Sequence, residues 1–432
     1  MSFHLFTHNG DTFAFHPVTL QSERLRPEGS ASRWPSAVTL DMQGKSPRTA
    51  PPDTLVLMLT YACNMACRYC CQGEIPDTDQ FEMPEETAKK SIDWLVDASG
   101  SAPVVGLGFM GGEPFMKFQL MKALTGYARE KTMDAGKSLT IGAMTNGLLL
   151  SEEIIDFIAS NRMKLTVSFD GPLSVQNENR VLKDGTPSYE KIVPNLLRLT
   201  SRYPFVNVRP TVYADEDLDA VLAECMRLGF RECRLASVSS SLLPNGKKND
   251  EASATDAFVA HFKRQADRLI DSAEKRDEHS LARIAFDAVF REAVMAAVEA
   301  NDDLSLPKRR WFMCSAGRSF LTIDVMGDIY PCPRFIALPE HRMGSVEDRT
   351  FEHGEHRKSL VIHGEDCRDC WVRYLCGGGC VIEHLGATGS LFRANEHTCR
   401  LRKGKFEQAI RVACSLDTPS LQFLMKCFRS GS

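Results

Sequence analysis

Three cysteines, Cys63, Cys67 and Cys70, lie within eight residues of the sequence, spaced CxxxCxxC. They follow residues 55–59, an apolar run that predicts a strand buried on both faces. Three thiolates satisfy three irons of a cubane [4Fe-4S] cluster and leave the fourth iron without a protein ligand. The spacing therefore predicts a metal-binding loop with one open coordination position. The alternatives are a zinc loop or three buried structural thiols, but zinc sites more often show paired CxxC halves, and core thiols rarely cluster on one loop.

The same loop resembles the cysteine loop of radical S-adenosylmethionine (radical SAM) enzymes. In those enzymes the amino and carboxylate groups of SAM chelate the open iron. An electron from the cluster then splits SAM into methionine and a 5′-deoxyadenosyl radical. The resemblance implies SAM and one SAM-binding [4Fe-4S] cluster as cofactors.

Length and composition exclude several classes of protein. The 432 residues, 43% hydrophobic and 25% charged, are enough for a full core and more than one domain. The net charge of −4 and the lack of a long basic run argue against nucleic-acid binding. No apolar run reaches 18 residues and residues 1–15 lack the pattern of a secretion signal, so we expect a cytoplasmic protein without a membrane anchor. In that reducing compartment, fifteen cysteines favour thiolate ligands over disulfides.

Strand-like and helix-like segments alternate after the cysteine loop. The predicted strands lie at residues 55–59, 104–110, 139–144, 165–169, 206–212 and 233–238, with helical segments between them. Six such units predict an α/β fold with an open, partial (β/α)6 barrel resembling a TIM barrel with two units missing. Barrels of this kind place their functional residues at the carboxyl ends of the strands.

Candidate cofactor-binding residues follow those strand ends. Glycines permit close backbone approach, so the loop Gly111-Gly112-Glu113-Pro114 can offer backbone carbonyls to an ammonium group. Short polar side chains after the third and fourth strands suit ribose hydroxyls and a carboxylate. By resemblance to radical SAM enzymes, the predicted SAM-binding residues are Tyr69, Gly111, Gly112, Glu113, Asn146, Ser168, Asp170 and Arg180. Within this set Arg180 is a candidate for the methionyl carboxylate and Tyr69 for the adenine.

A second set of seven cysteines lies in the C-terminal part of the chain. Its members are Cys314, Cys332, Cys367, Cys370, Cys376, Cys380 and Cys399. Between the first two, residues 320–325 and 329–330 frame a predicted hairpin turn at Gly327. Their intervals resemble the SPASM domain, an extension of radical SAM enzymes that carries two auxiliary [4Fe-4S] clusters. The resemblance implies one cluster on Cys314, Cys332 and Cys380, and the other on Cys367, Cys370, Cys376 and Cys399. Seven thiols leave one of eight ligand positions open: it is vacant, takes a non-cysteine ligand or contacts substrate. Taken alone, the region also fits a zinc ribbon.

The remaining segments complete the predicted domain organisation. Around Asn9-Gly10 we expect a β-hairpin with Phe6, Phe13 and Phe15 facing inward, followed by a linker over residues 21–53. The hairpin is a weak candidate for leader-peptide binding, with simple edge-strand packing as the alternative. The predicted divisions are residues 1–52 (hairpin and linker), 53–250 (barrel), 251–310 (two bridging helices), 311–400 (SPASM domain) and 401–432 (tail).

The predicted function is oxidative modification of a ribosomally made peptide, with an electron donor of the flavodoxin or ferredoxin type. Auxiliary clusters offer an acceptor for the electron left on the substrate, which suits net two-electron oxidation. We expect crosslinking, thioether before carbon–carbon. Formylglycine formation, as in sulfatase maturation, comes second. In the resembling formylglycine-forming enzymes an aspartate follows the second auxiliary cysteine and a glutamine precedes Gly-Gly-Glu, whereas this chain has Pro333 and Met110.

Two further hypotheses concern the chemistry. A cluster-binding electron carrier or scaffold without SAM cleavage is the alternative from a different class of protein, but the intact cysteine loop and Gly-Gly-Glu motif argue against it. Cys71, beside the cluster loop, is the one candidate catalytic residue, as a hydrogen-atom donor or auxiliary thiol.

Overall fold

The computed structural model describes residues 3–25, 51–70, 81–239, 249–302, 309–358 and 360–430. Cys71 and most of the predicted linker lie outside these residues. The strands, in chain order, are β1 (His4–His8), β2 (Asp11–Phe15), β3 (Ser22–Leu25), β4 (Thr54–Met58), β5 (Met65–Cys67), β6 (Val104–Met110), β7 (Ser138–Thr145), β8 (Lys164–Val167), β9 (Arg180–Leu182), β10 (Val206–Val208), β11 (Thr211–Val212), β12 (Glu232–Cys233), β13 (Ala236–Ser237), β14 (Phe320–Ile323), β15 (Asp328–Tyr330), β16 (Gly344–Ser345) and β17 (Thr350–Phe351).

The helices alternate with the strands of the first half and dominate the second half. They are α1 (Glu85–Ala98), α2 (Phe118–Asp134), α3 (Glu152–Ser160), α4 (Leu173–Asn179), α5 (Tyr189–Arg202), α6 (Leu218–Arg227), α7 (Glu251–Glu274), α8 (Glu278–Ala285), α9 (Ala288–Asp302), α10 (Arg373–Cys376), α11 (Val381–Thr388), α12 (Glu396–Ser415) and α13 (Thr418–Ser430). Among the described residues, no helix is long and apolar enough to cross a bilayer.

A single twisted sheet forms the centre of the molecule. Its strand order is β12-β10-β8-β7-β6-β4-β14-β15-β16-β17, and the first seven strands are parallel. The apolar run of β4 is buried throughout, with Leu55, Leu57 and Met58 fully inaccessible to solvent, as expected for a strand covered on both faces. The predicted α/β fold with an open, partial barrel is confirmed.

The fifth and sixth predicted strands are each divided in two. β10 pairs with β12 and β11 pairs with β13, both in parallel and in one continuous register. Pro210 lies between β10 and β11 and has no N–H to donate, which interrupts the ladder at that point. Its carbonyl still accepts a hydrogen bond from the Ala236 N–H at 3.0 Å. Each predicted strand therefore has the expected position but is shorter than expected.

The seventh parallel strand comes from the C-terminal cysteine region. β14 pairs in parallel with β4, with Leu321 opposite Leu55, and β15 returns antiparallel to β14 through a turn at Gly327 (φ +89°). This pairing is absent from the sequence-based prediction, which gave the hairpin but not its partner. As a result, the C-terminal cysteines are attached next to the strand that leads into the first cysteine loop.

The helical segment after the barrel contains three helices, so the prediction of two bridging helices was wrong. The chain turns between α8 and α9, where the Asp287 carboxylate accepts hydrogen bonds from the N–H groups of Val289 (3.0 Å) and Phe290 (3.3 Å). This is an N-terminal cap, which ends the helical run and starts a new helix. α12 packs against α7 and α9. It also runs through residue 400, where the sequence predicted a domain boundary.

The N-terminal residues form a three-stranded sheet. β1 and β2 are joined at Asn9 (φ +49°) and Gly10 (φ +87°), the conformation that the predicted hairpin turn requires. Phe13 and Phe15 are buried, as predicted. β3 pairs antiparallel with β2, so the prediction of a linker was wrong for residues 22–25. His4 stacks on Trp371 with ring centres 3.8 Å apart, which docks this sheet on the C-terminal region.

Candidate active site at the carboxyl ends of the parallel strands

The first cysteine loop is held by a small sheet of its own. β5 pairs antiparallel with β9, which places Cys67 opposite Arg180. The Arg68 N–H donates to the Asn179 carbonyl at 2.8 Å, so the loop is also fixed to the end of α4. Cys63, Cys67 and Cys70 all line one cavity of about 250 Å³ at the carboxyl ends of the parallel strands.

The two glycines after β6 lie against the backbone that leads into the cysteine loop. The Gly112 N–H donates to the Thr60 carbonyl and the Glu113 N–H to the Ala62 carbonyl, both at 2.9 Å. A Cβ added at Gly112 would lie 2.2 Å from the Ala62 carbonyl oxygen, and one at Gly111 would lie 2.2 Å from that of Thr60. Glycine is therefore required here by close approach rather than by an unusual φ.

We expect Gly112→Ala to displace the cysteine loop, because the obstructing atoms belong to the backbone and cannot rotate away. SAM binding should weaken by at least about tenfold, and stability should fall by about 1–3 kcal/mol. Equilibrium dialysis with SAM and thermal unfolding, both under anaerobic conditions, measure the two effects. Gly126→Ala on the exposed face of α2 is the matched control, since nothing lies within 4 Å of the position that its Cβ would take. That variant should bind SAM normally; equal SAM binding by both variants would contradict the close-approach argument.

Glu113 connects the loops after the second and third predicted strands. Its fully buried carboxylate accepts hydrogen bonds from the Phe115 N–H (3.1 Å), the Thr145 hydroxyl (2.9 Å) and the Asn146 N–H (2.8 Å). Burial raises the pKa of Glu113 to about 7, although these three donors oppose the rise. Since both oxygens are occupied, the side chain can hold the two loops together.

The side chain of Asn146 faces the first cysteine. Its Nδ2 donates to Asn64 Oδ1 at 2.7 Å and lies 3.8 Å from Cys63 Sγ. Its Oδ1 accepts from the Leu148 N–H at 3.0 Å, which fixes the orientation of the amide. The amide donor is therefore directed toward a predicted cluster ligand.

Three predicted SAM-binding residues contact one another. Asp170 is fully buried, and its carboxylate accepts from the Tyr69 hydroxyl and from the Thr211 N–H at 2.9 Å. Arg180 Nε lies 3.1 Å from Asp170 Oδ2, and its Nη1 lies 3.7 Å from Cys67 Sγ. The guanidinium also lies 5.2 Å from the centre of the Tyr69 ring. This arrangement joins a buried ion pair to the second cysteine of the loop.

Most of the predicted SAM-binding residues line the cavity that contains the three cysteines. Seven of the eight predicted SAM-binding residues line it together with the three cysteines, whereas Asp170 lies behind the wall. The sequence analysis missed several of the other lining residues, including Arg209, Thr211, Ser237 and Arg334. For Arg209 a signal was present, since a charged residue directly follows a buried strand at the same edge of the sheet. A second cavity of about 170 Å³ adjoins the first, and Arg209 and Arg334 line both.

The C-terminal cysteines form two groups. Cys367, Cys370, Cys376 and Cys399 line a separate cavity of about 350 Å³. Its wall includes Arg402, whose Nη1 lies 3.9 Å from Cys376 Sγ. The structure therefore gathers the four thiols that the resemblance assigns to one auxiliary cluster.

The other three thiols lie near one another on the side of the first cavity. Burial raises the pKa of the Cys332 thiol to about 12, and the nearby Cys380 and Cys314 thiols contribute to the rise. Arg334 lies between this group and the first cavity: its Nη1 is 3.9 Å from Cys380 Sγ and 3.0 Å from Glu383 Oε1. Within the described ranges, no three His, Cys, Asp or Glu side chains converge as a site for a single metal ion.

Comparisons with known proteins find a similar family model, similar sequences and similar structures. Residues 57–225 match the model of the Radical SAM superfamily. The serine-type anaerobic sulfatase-maturating enzyme of Bacteroides thetaiotaomicron is 23% identical over 419 residues, which cover 90% of this chain and 97% of the relative. Native anSMEcpe with bound AdoMet shares the fold with a TM-score of 0.67 at 18% identity, over 83% of this chain and 98% of that chain. Streptococcus suis SuiB bound to precursor peptide SuiA gives a TM-score of 0.54 at 15% identity, over 81% and 76%.

Proposed function

Because residues 57–225 form a radical SAM domain, we propose that the chain is a peptide maturase that uses SAM and three [4Fe-4S] clusters to oxidise a ribosomally made peptide. One observation carries this proposal: a single cavity is lined by the three cysteines and by seven of the predicted SAM-binding residues. That cavity shares part of its wall, including Arg209 and Arg334, with the adjoining cavity.

The residues present fit a cluster with bound SAM. The thiols of Cys63, Cys67 and Cys70 would hold three irons, and the cradle at Gly111 and Gly112 has no room for a side chain. When bound, the cluster and SAM supply a radical that removes a hydrogen atom from a substrate carbon. Arg180, oriented by Asp170, offers a cation for the carboxylate of SAM.

The two groups of C-terminal thiols would hold the auxiliary clusters. We assign Cys314, Cys332 and Cys380 to one cluster, and Cys367, Cys370, Cys376 and Cys399 to the other. Arg334 and Arg402 lie beside a thiol of each group, at 3.9 Å. A cation near a cluster sulfur stabilises the reduced cluster. These side chains would therefore help each cluster accept the electron that the substrate gives up as it is oxidised. A flavodoxin or ferredoxin in a reducing cytoplasm would supply the first electron.

Peptide crosslinking is the favoured outcome, with a thioether before a carbon–carbon bond. Met110 lines the cavity where the resembling formylglycine-forming enzymes have glutamine, and Pro333 follows Cys332 where they have an aspartate proposed as general base. SuiB, which shares the fold, has been solved with a precursor peptide. Formylglycine formation is the second candidate, supported by the likeness to a sulfatase-maturating enzyme over 90% of this chain.

Anaerobic reconstitution with iron and sulfide tests the proposal. The protein is given SAM, a strong reductant and a library of short peptides, each with one cysteine flanked by random residues. We expect 5′-deoxyadenosine and peptides that have lost two hydrogens but kept their sulfur. Loss of sulfur from the cysteine, or a new aldehyde at a serine that reacts with a hydrazide, would instead establish formylglycine formation. Cluster-loaded protein that releases no 5′-deoxyadenosine with any peptide would contradict the proposal and favour an electron carrier.

A further inference from the structure

Arg209 lies in the wall that two adjoining cavities share. It directly follows β10, and its backbone N–H donates to the Val167 carbonyl at 2.8 Å, which fixes its position at the carboxyl edge of the sheet. It lines both the cavity that contains the three cysteines and the adjoining cavity between β13, α7 and α12. A molecule that extends from one cavity into the other must pass Arg209.

Arg402, which lines the adjoining cavity, has Nη1 3.9 Å from Cys376 Sγ, whereas Arg180, Arg334 and Arg234 have acidic partners. Their ion pairs are Arg180 with Asp170 (3.1 Å), Arg334 with Glu383 (3.0 Å) and Arg234 with Glu292 (2.6 Å). By contrast, the guanidinium of Arg209 has no hydrogen-bond or ion-pair partner among the described residues. The closest carboxylate that acts on it, Glu383, is already paired with Arg334.

The surroundings of Arg209 disfavour its charged guanidinium as long as no anion is bound beside it. Burial lowers the pKa of Arg209, the like charges of Arg334 and Arg234 lower it further, and Glu383 and the Cys380 thiol offset only part of the fall. Arg209 remains charged nonetheless, because arginine is effectively always protonated in proteins. A partly buried, unpaired cation carries a desolvation cost that an incoming anion compensates.

On the premise of the proposed function, we propose that Arg209 binds a carboxylate of the substrate peptide and makes the enzyme prefer peptides that carry one near the modified residue. The planar guanidinium matches a carboxylate through two parallel hydrogen bonds. The adjoining cavity also offers hydroxyl groups from Ser237, Thr255 and Thr398, which suit a peptide backbone. The carboxylate comes either from an Asp or Glu side chain or from the C-terminus of the peptide.

SAM has a carboxylate too, but Arg180 is better placed for it. Arg180 lies opposite Cys67 in the β5–β9 pair, with Nη1 3.7 Å from the sulfur, on the side of the cavity where SAM would chelate the open iron. Arg209 also lines the second cavity, which Arg180 does not. SAM affinity therefore distinguishes the two roles.

The test compares the peptide preferences of variants with that of the wild-type enzyme. The cysteine-containing library is prepared in two forms, with a free C-terminal carboxylate and with a C-terminal amide, and modified peptides are identified by their change in mass and then sequenced. In the wild type we expect about tenfold enrichment of peptides with an acidic group at one fixed distance from the modified residue. Enrichment that survives in the amide library identifies a side chain; enrichment lost there identifies the C-terminus.

Three variants distinguish recognition of the peptide carboxylate by Arg209 from a purely structural role. Arg209→Gln should abolish the acidic preference, and Arg209→Glu should transfer it to peptides with Lys or Arg, because the charge at the site is reversed. Arg234→Gln is the matched control: Arg234 lies beside Arg209 on the neighbouring strand, but its guanidinium is occupied by Glu232 and Glu292. It should keep the acidic preference. Binding of a selected peptide to reductant-free enzyme, by equilibrium dialysis, should weaken about tenfold in Arg209→Gln.

The outcomes are distinct. Peptides modified without any charge preference, or with a preference unchanged in Arg209→Glu, would overturn this inference and leave the proposed function intact. Loss of SAM affinity by more than tenfold in Arg209→Gln would reassign the residue to SAM. A wild-type enzyme that modifies no peptide at all would overturn the proposed function, and this inference with it.

Discussion

Cys67→Ala should abolish the release of 5′-deoxyadenosine, reducing it by at least about a hundredfold relative to the reconstituted wild type, and should lower the iron content by about four atoms per chain. Two remaining thiolates cannot hold a cubane that needs three protein ligands. Cys67 also lies opposite Arg180 in the β5–β9 pair, so the change removes the thiol nearest to the candidate SAM-binding cation. Chemical analysis of iron and sulfide and chromatography of the anaerobic reaction mixture measure the two effects.

Cys427→Ser is the control for Cys67→Ala. Cys427 lies on α13, which carries none of the predicted ligands, so this variant should keep the iron content and SAM cleavage of the wild type. Undiminished release of 5′-deoxyadenosine by Cys67→Ala would contradict the assignment of the loop. Zinc in place of iron in the wild type would overturn the cluster assignment itself and favour the zinc alternative.

Much of the barrel could be predicted because strands such as β4 and β6 are apolar runs followed by turn residues. Residues 104–110 illustrate this, since the predicted strand and β6 have the same ends. β14 shows what such patterns leave out. Its residues predict a hairpin, but nothing in them specifies β4, far earlier in the chain, as a neighbour, because strand pairing depends on tertiary packing. The turn between α8 and α9 was missed since the apolar spacing continues through Asp287.

The candidate site was predictable where function requires a residue type that is unusual in its context. Closely spaced cysteines and paired glycines at a strand end are such signals, and the structure brings them to one cavity. The roles of individual residues were harder to predict from the sequence. Glu113 has both carboxylate oxygens occupied by backbone and hydroxyl donors, and Asp170 lies behind the wall and acts on Arg180. Those roles depend on which hydrogen-bond donors contact these carboxylates, and the donors lie on loops that are far away in the sequence.

The ion pair between Asp170 and Arg180 gives the second large effect. Arg180→Gln leaves the fully buried Asp170 carboxylate without its cation, which should lower the free energy of unfolding by about 3–5 kcal/mol. It should also weaken SAM binding by more than about tenfold, because the guanidinium beside Cys67 is lost. Anaerobic denaturant titration followed by circular dichroism gives the stability, and equilibrium dialysis gives the SAM affinity.

A double-mutant cycle with Asp170→Asn separates the two contributions of Arg180. Asparagine at 170 removes the buried charge but can still accept the N–H of Thr211, so the double variant should recover much of the stability lost in Arg180→Gln. SAM affinity should stay low in the double variant, because its cation is still missing. If the double variant instead recovered SAM affinity together with stability, Arg180 would act only by neutralising Asp170. Additive losses of stability would show that the two side chains do not interact, contrary to their 3.1 Å contact.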